Sequence, residues 1–396
     1  MLRKCILALS RQSVSAFNAG KVCQQAARSL YSASVLGIDG YESYREKIST
    51  QHMHNVDNFK RRMREFVTGS NSNMIFTEDL KNIIHLAENT PEDKQLLVDM
   101  IEKYNSQAKE LRFGNYIFGP VVMRALYCLK DPTLAFELFK KESFNDFFDQ
   151  LTSYQILGDM LYEQGMYAQV RELFDIIKTR QVQGGRYPKH SITLTFAACY
   201  RENTPESFQY AMDLWKELNA VGHIPMRKAT AFAAALALKN NQPGYALEIA
   251  GTVTKGNYVT IRQIRILALI AMERLEDLIP VFRSVLEIGG PLERKQTFCR
   301  EVIDEVQKVL SSTKVEIPQD LKRMLQFLEE NGHVTDSTLD QLLCTAILST
   351  AQTRSTENNN LANSYRNRGG SQNFRHAHVD RNQKKRFQRP GLADMV

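Results

Sequence analysis

A short helix ending recurs along the middle of the chain. It reads LAFELFK at Leu134 to Lys140, VRELFDIIK at Val170 to Lys178, AMDLWKELNAVGHIP at Ala211 to Pro225, YALEIAGTV at Tyr245 to Val253 and LIPVFRSVLEIG at Leu278 to Gly289. Taking Phe139, Phe174, Trp215, Ala250 and Phe282 as equivalents gives spacings of 35, 41, 35 and 32 residues. A unit of that length holds two helices and a turn, and one such pair cannot bury its apolar faces alone. A chain built this way must stack its units on their neighbours.

The intervening sequence agrees. From Thr77 to Thr345 apolar residues recur mainly at i, i+3, i+4 and i+7, with little alternation of period two, which predicts an all-α body. Breaks fall between amphipathic stretches: ENTPED at Glu88, LKDPT at Leu129, QGG at Gln183, ENTPES at Glu202, NNQPG at Asn240 and IGGP at Ile288. The clearest unit is Thr152 to Lys178, where Tyr154 opens a first helix, Gly165 turns it, and Leu173 with Phe174 closes a second.

The W-x-x-L-G signature of the tetratricopeptide repeat is absent. The pattern instead resembles the pentatricopeptide repeat, through Tyr154, Gly165, Leu173 and Phe174 in one unit and Ala211, Leu214, Trp215, Leu218, Gly222 and Pro225 in the next. The resemblance implies a right-handed α-solenoid of helix-turn-helix repeats. It also implies a groove of first helices along which single-stranded mitochondrial RNA lies at about one base per repeat, and a role in transcript maturation. In that family the residue after the first-helix aromatic, with the last residue of the unit, sets base choice. Here the first site falls on Pro120, Gln155, Thr193, Ala231 and Gln263, and the unit ends fall on Gln150, Pro188, Met226 and Tyr258. Only Thr193 is of a type that usually discriminates bases, and units of 38, 38 and 32 residues break the even spacing a code needs.

Phosphate contacts require Lys and Arg. The body offers Lys60, Arg61, Arg62 and Arg64 in NFKRRMREF, Arg227 and Lys228 at a unit entrance, Arg262 and Arg265 in VTIRQIRIL, and Lys295 with Arg300. Arg262 and Arg265 are three apart and share a helix face. Each cluster has the alternative reading of a solvated helix surface.

Charge is unevenly distributed. Met1 to Leu36 carries five basic residues, six serines and no acid, the composition of a mitochondrial transit peptide, and ARSLYSAS resembles a matrix processing site with a cut near Tyr31. Ala351 to Val396 carries nine basic and three acidic residues and almost no aliphatics, which predicts disorder; its Tyr365, Phe374 and Phe387 among arginines suit sequence-tolerant RNA contacts. The net charge of +7 therefore leaves a slightly acidic body. The predicted organisation is a leader over 1–31, a partly helical segment over 32–75, repeats over 76–290, a helical cap over 291–348 and a basic tail over 349–396.

No sequence pattern supplies a cofactor, metal or catalytic site. The six cysteines are dispersed without CxxC spacing, His52 with His54 and His376 with His378 have no acidic or Cys partners nearby, and GNYIFGP ends in Pro120 where a phosphate loop needs GK[ST]. The longest apolar run, near Thr230 to Leu238, is about half a membrane span. Two readings follow: a matrix RNA-binding protein without catalytic activity, or a helical scaffold for ribosomal or RNA-processing proteins.

Overall fold

The computed structural model describes residues 29–69, 73–107, 116–181, 185–253, 258–286, 296–312 and 319–348. The basic leader over 1–28, Gln183 and Gly184 of the QGG turn, the IGGP turn, Lys295 and the tail over 349–396 lie outside them.

The body is all-α, and its helices come in pairs. After a short α1 (Ala33–Leu36) come α2 (Ile38–His52) with α3 (Val56–Thr68), α4 (Thr77–Leu86) with α5 (Pro91–Ser106), and α6 (Gly119–Cys128) with α7 (Pro132–Lys140). A single-turn α8 (Asn145–Phe148) precedes α9 (Leu151–Glu163) with α10 (Tyr167–Arg180), α11 (Lys189–Glu202) with α12 (Pro205–Ala220), and α13 (Arg227–Lys239) with α14 (Pro243–Gly251). Then come α15 (Val259–Ala271) with α16 (Leu278–Leu286), α17 (Arg300–Ser312) with α18 (Gln319–Glu330), and a final α19 (Leu339–Cys344). A two-stranded parallel pair, β1 (Phe298–Cys299) with β2 (Val334–Thr335), joins the last elements.

First helices pack on first helices in sequence order: α2 on α4, α4 on α6, then α6, α9, α11, α13, α15 and α17. The hairpin stack thus begins at α2 and runs through α17 and α18, the helices that the periodicity reads as a cap. They pack on α15 and α16 as the earlier pairs pack on one another. Within the N-terminal segment, α2 and α3 likewise pack on α4 and α5.

The turn between the two helices of a pair is the recurring physical unit of the stack. Five of these turns place a residue in the left-handed region: Lys130, Gly165, Asn203, Asn241 and Glu273, with φ of 53, 75, 48, 56 and 60°. These positions follow one another at 35, 38, 38 and 32 residues. In four of them the next amide reaches back over the helix end: Asp131 N donates to Leu126 O, Met166 to Leu161, Gln242 to Ala237 and Arg274 to Leu269, at 2.9 to 3.2 Å. Such a bond satisfies a carbonyl that the helix end leaves open and reverses the chain in three residues. The second helix then starts on a proline at position 132, 205 or 243, where a missing N–H costs nothing. Asp131 and Thr204 cap it, accepting from Leu134 N at 3.0 Å and Ser207 N at 3.1 Å.

The recurring helix ending now has its cause. Phe139, Phe174, Trp215 and Phe282 are each buried between the two helix layers, and Phe139 meets Tyr154 of the next first helix edge-on at 5.1 Å. Each contributes about 3–5 kcal/mol against truncation to Ala. Gly119 is held for space: a Cβ there would come within 2.6 Å of Phe147 O and closer still to the Gln150 amide.

Because left-handed φ costs a non-glycine residue about 1 kcal/mol, Glu273→Gly should raise stability by roughly 0.5–1 kcal/mol and Gly165→Ala should lower it by about 1 kcal/mol. Urea denaturation of the two variants checks both signs; a neutral Gly165→Ala would show that the turn is not the strained element.

Candidate nucleic-acid interface

The first-helix layer is the face on which a pentatricopeptide-type protein would hold RNA. A groove-lining helix keeps one polar stripe open, yet α11 is buried at every residue from Ser191 to Tyr200 and α13 at every residue from Ala229 to Ala237. Neighbouring first helices and second helices cover three sides of each. The fourth side is covered by the chain's own two ends.

At the N-terminal end, Leu30 and Tyr31 are fully buried. Their backbone amides donate to Asp159 Oδ1 on α9 at 3.0 and 3.1 Å, and the Ser29 hydroxyl donates to Oδ2 at 2.8 Å. Tyr31 packs edge-on against His190 of α11, ring centroids 5.3 Å apart, and its Oη lies 3.1 Å from His190 Nδ1. Arg124 of α6 donates to Leu36 O at 2.8 Å, fixing the entry into α2. Composition assigns Ser29 to Tyr31 to the leader; Leu30 and Tyr31 are instead built into the core, because their side chains and amides complete the face of α9 and α11.

At the C-terminal end, α19 lies on α13 and α15. Asp340 accepts from Tyr200 Oη at 3.1 Å and pairs with Arg201 at 3.4 Å. Lys228 donates to Thr345 O. The two ends then meet: Ile347 N donates to Leu30 O at 2.9 Å and Ser32 N to Ile347 O at 3.1 Å, a parallel bridge between Tyr31 and Ile347.

The candidate base-reading residues are consequently closed off. Thr193, Ala231 and Gln263 are fully buried. Thr193 Oγ1 donates to Lys189 O at 2.9 Å and Gln263 Nε2 to Thr297 O at 3.3 Å. Gln155 is half-buried, and its Nε2 has no hydrogen-bond partner. The paired arginines of α15 are structural rather than phosphate ligands. Arg262 is buried against Gln296 and the Phe298 ring, burial pushing its guanidinium down to about 10. Arg265 donates to Ala250 O and Val253 O at 2.7 and 2.9 Å, capping the end of α14. Lys60 is buried too, 2.6 Å from Asp93 on α5. Arg61, Arg62, Arg64 and Arg227 remain exposed; Arg64 reaches Asp93 at 3.7 Å and Arg227 lies over the Tyr258 ring at 5.3 Å. Arg300 pairs with Asp336 at 2.7 Å.

Two residues escaped the sequence reading, Asp159 and Asp340. Asp159 was detectable as a lone acid on the apolar face of YQILGDMLY; Asp340 carries no such signal. Among the described residues no three His, Cys, Asp or Glu side chains converge on one point, and no helix is long and apolar enough to cross a membrane.

Similarity to characterised sequences fixes the family. The chain is 32% identical over 272 residues to pentatricopeptide repeat-containing protein 2, mitochondrial, of Mus musculus, an overlap of 68% of this chain and 70% of that one. The chain belongs to the pentatricopeptide repeat-containing protein 2 family. Proteins of the same name from Xenopus laevis and Homo sapiens are 29% identical over 272 residues and 27% identical over 320, covering 68% and 81% of this chain and 70% and 81% of theirs. No family model matches, and no solved structure matches. The first-helix face, on which the repeat resemblance places RNA, is packed in this chain by residues from 29–36 and 339–347.

Leu343 is buried where α19 meets the stack, so Leu343→Ala should weaken the docking of α19 by about 2–4 kcal/mol. Hydrogen exchange of amides 339–344 should accelerate at least tenfold while α11 stays protected; unchanged exchange would show that α19 is held by other contacts. Burial also pushes Lys228 down to about 8. Its folded value lies below the unfolded one, so the folded state binds fewer protons and stability rises as pH climbs from about 8 toward 10.5. Lys228→Met should remove that rise, read as a difference between the two chains' pH profiles.

Proposed function

We propose that this is a non-catalytic RNA-binding protein of the mitochondrial matrix, one that assists the maturation, processing or stability of mitochondrial transcripts and so supports the respiratory chain. Membership of a family whose relatives are named pentatricopeptide repeat-containing and mitochondrial, together with the acid-free basic leader, supports the compartment. The observation that carries the RNA reading is the uninterrupted stack of helical hairpins from α6 to α16, taken to wind as a right-handed solenoid, with exposed arginines left on it.

The mode of binding differs from base reading. With Thr193, Ala231 and Gln263 buried, single-stranded RNA is held through its phosphates by Arg61, Arg62, Arg64 and Arg227, which contact backbone and carry little sequence information. A second reading, a scaffold for ribosomal or RNA-processing proteins, is favoured by one feature. The exit from α12 opens a cleft of about 510 Å³ lined by Trp215, His223, Ile224, Pro225 and Arg227, with Ile224 85% exposed.

Filter binding of the recombinant chain to mitochondrial single-stranded RNA across a salt series tests the first reading. The triple substitution of Arg61, Arg62 and Arg64 to Ala should reduce the salt slope by about 2, since each phosphate contact on a single strand contributes roughly 0.7. An unchanged slope removes this patch, and binding that vanishes with residues 349–396 would assign the RNA to the tail.

A further inference from the structure

Asp159 is the fully buried carboxylate of the first-helix face. Among the described residues its hydrogen bonds come from Ser29 Oγ, Leu30 N and Tyr31 N, and no cationic side chain pairs with it. The titratable groups facing it are Tyr127 from α6, Glu163 one turn further along α9, and Tyr31 with His190 on the side of α11. None of these offers it a positive charge: burial holds His190 below its ordinary value, and Tyr127 donates to Glu163 at 2.9 Å. Burial raises the Asp159 carboxyl to about 7, against the pull of its three hydrogen bonds. A buried carboxylate without a counter-charge is costly, and native proteins pair it or neutralise it.

Two of its donors are adjacent backbone nitrogens, and the residue two places ahead of the first is Arg28, the last basic residue of the acid-free leader. We propose that the leader is removed between Ser29 and Leu30, and that the new α-ammonium of Leu30 is the missing counter-ion of Asp159. The inference rests on the import reading above. A presequence peptidase supplies the catalysis and water the co-reactant. One water adds across the Ser29–Leu30 amide, the C–N bond breaks, Ser29 leaves as a carboxylate, and the Leu30 nitrogen leaves protonated as an ammonium. That nitrogen already sits 3.0 Å from Asp159 Oδ1. Its two additional protons replace the Ser29 hydroxyl at Oδ2.

The position of the cut follows from what the fold retains. The Leu30 side chain is fully buried and its carbonyl accepts from Ile347 N at 2.9 Å, so a chain starting at Tyr31 loses a core residue and half of the bridge between the two ends. A chain starting before Ser29 keeps Leu30 N as a neutral amide and leaves the carboxylate uncompensated. Processing therefore does more than discard an address: it supplies the charge that locks residues 30–36 over α9 and α11, and with them Ile347 behind α19.

Amino-terminal sequencing of the protein recovered from mitochondria should return Leu30. A cut at any other residue overturns the proposal alone, whereas an uncut chain overturns with it the reading of residues 1–31 as a removable leader. The pairing is tested separately on chain 30–396, released from a cleavable fusion with a native α-amino group, beside chain 1–396. Asp159→Asn should lower the melting temperature of the processed chain by about 5 °C or more and that of the full chain by about 1 °C or less, because a neutral amide still accepts from Leu30 N and Tyr31 N. Acetylating the α-amino group of chain 30–396 should give a loss similar to the substitution without altering any side chain. Equal shifts from Asp159→Asn in both chains, or no loss on acetylation, would overturn the ion pair.

Discussion

The central first helices are buried all the way round, and the rest of the structure answers to that constraint. α11 and α13 have no side that tolerates water. Neighbouring first helices close two sides and the second helices a third. The remaining side must be closed by something the chain itself provides, since an open face of this size invites association. Leu30, Tyr31, Leu339, Leu343 and Cys344 supply it, and all five belong to the same continuous core as the hairpins they cover.

Polar groups on that covered side are held by specific partners. Asp159 takes two backbone amides, Asp340 takes Tyr200 and Arg201, and Lys228 takes the Thr345 carbonyl. These contacts fix where each chain end sits, which apolar packing alone specifies poorly. They also explain why the basic residues of the body divide into two populations. Arg262, Arg265 and Lys60 satisfy carbonyls, amides or a buried carboxylate, whereas Arg61, Arg62 and Arg227 are exposed. A helical position three residues away cannot tell a phosphate ligand from a helix cap.

Much of the hairpin register was legible and some of it was not. Spacings measured on the aromatic of the second helix run 35, 41, 35 and 32, while the left-handed turn residues run 35, 38, 38 and 32. The discrepancy lies at Trp215, which sits one helical turn further into its helix than Phe174 does. A search for turn glycines finds only Gly165, because Lys130, Asn203, Asn241 and Glu273 take the same backbone shape at modest cost. The pair α2 with α3 falls outside the repeats that the sequence predicts, since it lacks the closing L-F signature, whereas α4 and α5 flank the ENTPED break inside them. The burial of the first-helix face was foreshadowed by SITLTFAACY and ATAFAAALAL, in which no polar stripe can be drawn.

Sequence alone determined that the chain is helical, that its helices pair and repeat, and that its family is the pentatricopeptide one, because period, turn residues and closing aromatics are local properties. Tertiary structure alone decided that Thr193, Ala231 and Gln263 face protein, that Arg262 and Arg265 cap carbonyls, and that Leu30 and Tyr31 belong to the core. Those outcomes depend on contacts that no helical period links, with separations of 34 positions between Arg262 and Gln296, 129 between Leu30 and Asp159 and 117 between Lys228 and Thr345. No local pattern encodes a partner at that distance; it is set by which surface the completed stack leaves apolar.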